Sequence, residues 1–180
     1  MPSCRLITLH DAPVLAELVR ANREFLAPWE PVRGEEYFTE AGQRASIGAS
    51  LAECERGRGQ PCVIVDHDGA VVGRVNLNNI VRGASQSASL GYWLAQAAGG
   101  RGVATAAVRD IVRVAFAELG LHRIQADTLV DNQASQRVLD RNGFVRIGLA
   151  PSYLKIAGRW QDCILHQLLS DASRQPGMVA

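Results

Sequence analysis

Apolar residues along this chain follow two periods, which predict a mixture of helices and strands. The clearest helix is predicted for residues 103–119, where apolar side chains recur every three or four residues on one face. Further helices are predicted for residues 11–22 and 39–56, and a last one from Asp131 or Asn132 to about Asn142. Thr8 and Asp11 have the spacing of a capping box at the start of the first helix.

The strand-like segments lie between and after these helices. They are short apolar or alternating runs bounded by glycine, proline and polar turns, at residues 5–9, 62–65, 70–77, 90–94, 123–130, 145–156 and 160–169. Pro151 interrupts the sixth of them. The order β-α-α-β-β-β-α-β-α-β-β predicts one α/β domain with a mixed, largely antiparallel sheet of six to seven strands and about four helices.

Length and charge narrow the class of protein. The 180 residues fit a single domain, for which we expect an ordered core at about 4–170 and a frayed tail at 171–180. The 19 basic and 18 acidic residues nearly cancel, so no overall positive field favours direct nucleic-acid binding. No segment has the length of a membrane span or the pattern of a signal peptide. A cytoplasmic protein, monomeric or homodimeric, is the expectation.

The four cysteines do not have the spacing of a metal site. Cys4, Cys54, Cys62 and Cys163 are scattered, and none forms a C-x-x-C pair. Small buried thiols are the simplest interpretation, and no metal is expected.

A glycine-rich segment precedes the clearest helix and has the form of an anion-binding loop. Gly99, Gly100 and Gly102 lie between a predicted strand and the helix that begins at Val103. Glycine lets backbone N–H groups approach a ligand, and a helix start offers unpaired donors and partial positive charge. A phosphate or pyrophosphate is the natural ligand, and the missing Walker lysine disfavours nucleotide hydrolysis. A flexible linker in front of a helix is the alternative.

A second segment follows in fixed order. Asn132 and Ser135 open a helix that Gly143 and Phe144 close. Taken alone, this pattern also fits an ordinary capped amphipathic helix.

The two segments together resemble the acetyl-CoA motifs of the GNAT acetyltransferase superfamily. The first motif, Q/R-x-x-G-x-G/A, aligns with residues 99–104, with Gly99 in place of Gln or Arg, and the second, N-x-x-S followed by G-F, aligns with residues 132–144. The stretches at 22–33, 79–83, 90–92, 121–124 and 153–162 further resemble the RimJ/RimL-type ribosomal-protein alanine N-acetyltransferases. These blocks span about residues 5–169.

The resemblance implies an acetyl-CoA-dependent N-acetyltransferase whose central strands splay to hold the co-substrate. It implies that the cofactor-binding residues are Trp93, Leu94, Gly100, Arg101, Gly102, Val103, Ala104, Thr105, Asn132 and Ser135. Backbone N–H groups at Trp93 and Leu94 match the family's oxyanion donors.

The catalytic residues depart from the family pattern. Many members use a tyrosine after the second-motif asparagine to protonate the leaving thiolate, and this chain has Leu139 there. By resemblance to the RimJ/RimL branch, Ser135 is the substitute, although an exposed helix serine is the simpler interpretation. The positions of the usual basic glutamates hold Ser89 and Ser152. Glu30, on a proline-stiffened loop, is therefore the candidate base or amine-binding carboxylate, and a loop-bracing ion pair is its alternative.

Three functions remain open at this point. The first is N-terminal acetylation of a protein, with an alanine-starting ribosomal protein as acceptor, either free or on the ribosome. The second is acetylation of a small amine such as a polyamine, amino acid or aminoglycoside. The third is a non-catalytic acyl-CoA-binding protein. Tyr92, Trp93 and Trp160 also fit an RNA-stacking surface, but core and cleft lining is the favoured interpretation.

Overall fold

The fold is built on one sheet of seven strands. The computed structural model describes residues 3–170, so the tail expected at 171–180 lies outside the described residues. The strands are β1 (Cys4–Leu6), β2 (Gln60–Val65), β3 (Val71–Val81), β4 (Ser87–Leu94), β5 (Arg123–Leu129), β6 (Val145–Ile156) and β7 (Arg159–Leu169). The helices are α1 (Ala12–Ala21), α2 (Arg23–Leu26), α3 (Glu40–Glu55), α4 (Val103–Arg113) and α5 (Gln133–Arg141). The predicted α/β architecture is confirmed, with five helices where about four were expected.

The strand order is β1-β2-β3-β4-β5-β7-β6. Every neighbouring pair is antiparallel except β4 and β5, which are parallel. A parallel pair needs a crossover, and α4 supplies it. The sheet is therefore mixed and largely antiparallel.

Helices cover both faces of the sheet. On one face, Ile111 of α4 and Leu139 of α5 pack against inward-pointing side chains of the central strands, including Leu90 and Ile124. On the other face α1 and α3 pack around Ile47, with Trp93 of β4 at the margin. Because side chains alternate along a strand, neighbouring residues of β4 and β5 face different layers.

Several boundaries differ from those predicted. The predicted helix at 103–119 is α4 followed by a π-helical turn at Val114–Glu118. The chain leaves β1 after Leu6 and forms a 3₁₀ turn at Leu9–Asp11. Pro151 does not end β6, because a bulge between Ala150 and Leu154 accommodates it within one strand.

Two hydrogen bonds donated by backbone N–H groups connect the α1–α2 segment and the loop after it with loops of the sheet. The N–H of Gln96, just after β4, donates to Asn22 Oδ1 at 2.8 Å. The N–H of Ala157, at the turn between β6 and β7, donates to the carbonyl of Glu30 at 2.9 Å. The end of α1 is thereby held against the loop after β4, and the loop after α2 is held against the β6–β7 turn. Within residues 3–170, no helix is both long and apolar enough to cross a membrane.

Asp11 braces the entry to α1. Its buried carboxylate accepts two bonds from the Arg5 guanidinium, at 2.7 and 2.9 Å, and one from the N–H of Thr8 at 2.8 Å. The reciprocal contact predicted from the Thr8–Asp11 spacing is present. The Arg5 hydrogen bond is the main cause that lowers the pKa of Asp11.

Asp11→Asn should therefore destabilise the fold by about 1–2 kcal/mol at neutral pH, since charge-assisted bonds to a buried carboxylate are lost. A lowered folded-state pKa gives stability that is present above the unfolded pKa of about 3.9 and is lost as pH falls through the folded value. Urea unfolding at pH 7 and at pH 3 should show the difference between parent and variant shrinking in acid. The exposed Arg44–Glu40 pair offers a control, because Glu40→Gln should change stability much less. An equal effect of both substitutions would contradict this role for Asp11.

Candidate active site

The two central strands part halfway along their length. β4 and β5 pair from Ser87 with Arg123 to Leu90 with Ala126, and no pairing continues beyond that point. β4 nevertheless runs on to Leu94 and β5 to Leu129. The gap between residues 91–94 and 127–129 exposes backbone groups that a closed sheet would pair.

The direction of the backbone N–H groups along β4 shows which of these donors face the gap. The N–H of Ala95 donates to Val72 on β3 at 2.8 Å, and the β3–β4 register is regular through this stretch. Since N–H groups alternate in direction along a strand, Trp93 also faces β3, whereas Leu94 and Tyr92 direct their N–H groups into the gap. Leu94 is thus the better-placed of the two donors expected from the sequence.

The glycine loop leads directly from the gap to α4. Gly100 and Gly102 have φ angles of 75° and 78°, a conformation that favours glycine, and Gly102 is the residue that caps α4. No side chain among the described residues caps this helix start. The first N–H groups of α4 therefore remain available to an anion, which fits the pyrophosphate of acetyl-CoA.

A cavity of about 400 Å³ joins the gap, the glycine loop and α5. Nine of the ten expected cofactor-binding residues line it, together with Gly99: Trp93, Leu94, Gly100, Gly102, Val103, Ala104, Thr105, Asn132 and Ser135. Arg101 is the exception, because its guanidinium turns back to donate to the carbonyl of Ala97 at 2.7 Å.

α5 forms the opposite wall of this cavity. Asn132 caps it, with Oδ1 accepting from the N–H of Ser135 at 3.0 Å, and Asn142 donates from Nδ2 to the carbonyl of Thr105 on α4. Arg137 and Arg141 also line the cavity, and no sequence motif had singled them out. Their i, i+4 spacing places both guanidinium groups on one helix face, suited to the phosphates of a nucleotide.

A tyrosine lies beside Ser135 although none follows it at the expected place in the sequence. The Tyr92 hydroxyl is 2.7 Å from Ser135 Oγ and 3.2 Å from the Ser135 carbonyl oxygen. Burial raises the pKa of Tyr92 to about 12. When Tyr92 donates to Ser135 Oγ, the serine proton is free to point into the cavity. Sequence reasoning missed this pair because its members are 43 residues apart.

Glu30 lies in a neighbouring pocket of about 320 Å³, between the loop after α2 and the β6–β7 turn. The pocket shares Leu26 with the larger cavity and is also lined by Arg23, Arg33 and Tyr37. Burial is the main cause that raises the pKa of Glu30, and Arg33, whose Nε is 3.9 Å from Oε2, opposes it. The Glu30 side chain is therefore largely enclosed by the pocket, and its ion pair with Arg33 is long.

The remaining residues of interest are spread around the gap. Ser89 lies on β4 opposite Gln125, within the paired part of the strands. Ser152 lies in the β6 bulge with a φ of 47°, and its N–H donates to Asp162 at 2.8 Å. Trp160 is 64% exposed near the β6–β7 turn, away from the cavity lining. The three aromatic residues Tyr92, Trp93 and Trp160 therefore do not form one stacking surface.

The family is decided by a match to the acetyltransferase (GNAT) domain over residues 4–145. The chain belongs to the GNAT acetyltransferase family. It is an acetyl-CoA-dependent N-acetyltransferase, and the non-catalytic interpretation is set aside.

Relatives within the family match over almost the whole chain. YjcK of Bacillus subtilis (strain 168), named as a probable N-acetyltransferase, is 37% identical over 167 residues, 92% of this chain and 91% of its own. The [ribosomal protein uS5]-alanine N-acetyltransferase of Escherichia coli (strain K12) is 34% identical over 165 residues, 91% and 85% of the two chains. The structure of Mycobacterium smegmatis RimJ in complex with CoA-disulfide superimposes with a TM-score of 0.90 at 32% identity, covering 96% of this chain and 83% of that one. This GNAT enzyme therefore closely resembles the RimJ type.

Gly102→Leu should weaken CoA binding at least about 10-fold, because a side chain would enter the cavity at the helix start and displace charge-assisted bonds. Gly57→Leu is the matched control: its φ is 69°, it also has open space around it, and it lies at the end of α3. Both variants carry the same backbone strain. Calorimetric titration with CoA, with circular dichroism to check folding, should separate them. Equal CoA affinity in folded Gly102→Leu and in the parent would remove this loop from the site.

Proposed function

We propose that this enzyme acetylates the N-terminal α-amine of a protein, with an alanine-starting ribosomal protein as the acceptor. The observation that carries the proposal is the 34% identity, over 91% of the chain, to an enzyme that acts on the N-terminal alanine of ribosomal protein uS5. Such an acceptor is made on ribosomes, so the proposed place of action is the cytoplasm. A monomer or a homodimer is compatible with this activity.

The openness and the charges of the pocket beside Glu30 favour a peptide over a small polyamine as the acceptor. The pocket beside Glu30 is open between two loops, and its single carboxylate is accompanied by the guanidinium groups of Arg23 and Arg33. Glu35 pairs with Arg23 and Glu30 faces Arg33, so the pocket has no excess of negative charge to bind a polyamine. Exposed aromatic side chains near the β6–β7 turn, among them Tyr153 and Trp160, extend the surface beyond the pocket. A chain longer than a single amine therefore has more surface to contact.

In this proposal Glu30 contacts the acceptor. Its carboxylate is 16% exposed, and its pairing with Arg33 is too long for a hydrogen bond, so it retains capacity for a donor. The backbone bond from Ala157 to Glu30 holds both sides of the pocket in place. The carboxylate is thus suited to orient an N-terminal peptide segment by its N–H groups or its positive charge.

The chain's own groups are arranged for acyl transfer by direct attack. When bound, acetyl-CoA supplies the acyl group as a thioester. The N–H of Leu94, with that of Tyr92 beside it, would donate to the negative charge that develops on the carbonyl oxygen. Ser135, held by Tyr92, would donate its proton to the departing sulfur. Holding the amine against the thioester carbon contributes the largest part of the rate gain.

The acceptor class is tested with a peptide panel. A peptide that begins with alanine should have a kcat/KM roughly 10-fold or more above those of otherwise identical peptides that begin with lysine or proline. The reason is that the enzyme resembles alanine N-acetyltransferases, whose acceptors have a small first residue. Thiol release from acetyl-CoA is the measurement, and the same peptide with a blocked N-terminus is the control. Equal rates across the peptides, together with faster turnover of free spermidine, would favour the small-amine function instead.

Ser135→Ala should lower kcat on the order of 10-fold while CoA affinity changes little, because the hydroxyl acts mainly in the transition state. Tyr92→Phe should lower kcat less, since it leaves the serine in place without its partner. Ser46→Ala, on α3 and away from the cavity, is the control and should match the parent. A kcat of Ser135→Ala within twofold of the parent would mean that Ser135 only decorates α5 and that solvent protonates the thiolate.

A further inference from the structure

The sheet face opposite α4 and α5 is covered over only part of its width. α1 and α3 pack on it around Ile47 and Val63. Farther along the sheet, on β4, β5 and β7, buried side chains alternate with partly exposed ones. The buried set, which includes Leu90 and Ile124, lies in the layer of α4 and α5, so the partly exposed set points to the opposite face. This part of the face is therefore accessible, unlike the part beneath α1 and α3.

The accessible part contains a trough whose floor is β4. Ser89 and Gly91 form the floor, with little or no side chain. Asn78 and Asn76 of β3 flank them on one side, and Gln125 of β5 flanks Ser89 on the other. Neighbouring strands are about 4.8 Å apart, so the two walls are about 10 Å apart, which is wide enough for one extended chain. Asn78 leans into the trough, with Nδ2 at 3.5 Å from the position that a Cβ on Gly91 would occupy.

Polar groups along the trough have no hydrogen-bond partner among the described residues. Two of them are buried: Asn76 Oδ1, and Nε of Arg123, which lies two residues before Gln125 on β5. The side-chain amides of Asn78 and Gln125 are also unpaired within residues 3–170. Unpaired polar groups are costly where water is excluded, and a ligand that offers both donors and acceptors satisfies them.

The trough opens into the gap between β4 and β5. Gly91 is the first residue of β4 beyond its pairing with β5. At the other end Ser87 is buried, and its Oγ is 2.6 Å from that of Ser85, so the open stretch ends there. At about 3.3 Å per residue, the distance from Gly91 to Ser87 is about 13 Å, the length of about four extended residues.

We propose that this trough binds the extended segment that follows the first residue of the acceptor, with the N-terminal amine in the gap at Gly91. Asn76 and Asn78 on one side and Gln125 on the other hydrogen-bond the backbone of that segment, since amide side chains both donate and accept. Arg123 donates to a carbonyl or carboxylate oxygen at the far end. The inference rests on the proposed function, because it requires a polypeptide acceptor. The amide contacts are to backbone groups, so the trough selects an extended acceptor more than a particular sequence.

The test measures kcat/KM for amidated peptides that share an N-terminal alanine and increase from two to eight residues. In the parent, kcat/KM should rise roughly 10-fold or more up to about five residues and then level off, since each added hydrogen bond contributes about a few-fold. Ser89→Leu fills the floor and should remove this gain, while the rate with the shortest peptide stays unchanged.

Two further variants locate the effect on the sheet. Asn78→Ala combined with Gln125→Ala should reduce the gain with length by about a few-fold to 10-fold, because two backbone contacts are lost. Gln167→Ala is the matched control: Gln167 pairs with Gln125 on the same face, one strand farther from β4, and its removal should leave the parent profile unchanged. Calorimetric titration with CoA checks that each variant keeps its fold and its co-substrate.

Four results would overturn the inference. Equal kcat/KM at every length in the parent removes the trough, although turnover of the alanine peptides would still support the proposed function. An equal loss with short and long peptides in Ser89→Leu indicates a structural effect. A change in molar mass between the parent and Ser89→Leu, measured by light scattering, assigns this face to a contact between two copies of the chain. Turnover of spermidine without turnover of any peptide overturns the proposed function and this inference with it.

Discussion

The parting of β4 and β5 is the constraint on which the rest of this structure depends. A sheet interrupted at its centre leaves backbone donors and acceptors without partners, which is costly unless a ligand or solvent satisfies them. Here the interruption begins after Leu90 and Ala126, where the two faces of the sheet are covered by different helices. A thioester held on the α4 and α5 side would consequently have a direct route through the gap to an amine on the other side.

Each layer contributes a different kind of interaction to this meeting point. The α4 and α5 layer supplies positive potential, through a helix start without a side-chain cap and through Arg137 and Arg141. The pocket beside Glu30 carries mixed charge instead, since the Glu30 carboxylate lies with the guanidinium groups of Arg23 and Arg33. The potential of the α4 and α5 layer therefore favours an anionic co-substrate on that side, and the pocket beside Glu30 is separate from it.

Local patterns made much of this arrangement predictable. The glycine loop, the Asn132 cap and the long helix after Gly102 are short-range features, and each lies where the periodicity and turn chemistry put it. The contact that sequence reasoning missed joins distant segments, because Tyr92 reaches Ser135 across the cavity. The π-helical turn after Arg113 was likewise invisible to a pattern of apolar side chains.

The bond from the Gln96 N–H to Asn22 Oδ1 ties the end of α1 to the segment that enters the glycine loop. α2 and the loop that carries Glu30 follow directly after Asn22. A displacement of the glycine loop would therefore be passed along a few residues of backbone to the wall of the pocket beside Glu30. Thermodynamic linkage requires that any effect of one ligand on the affinity of the other be reciprocal. The hydrogen bond at Asn22 thus gives the two pockets a physical connection.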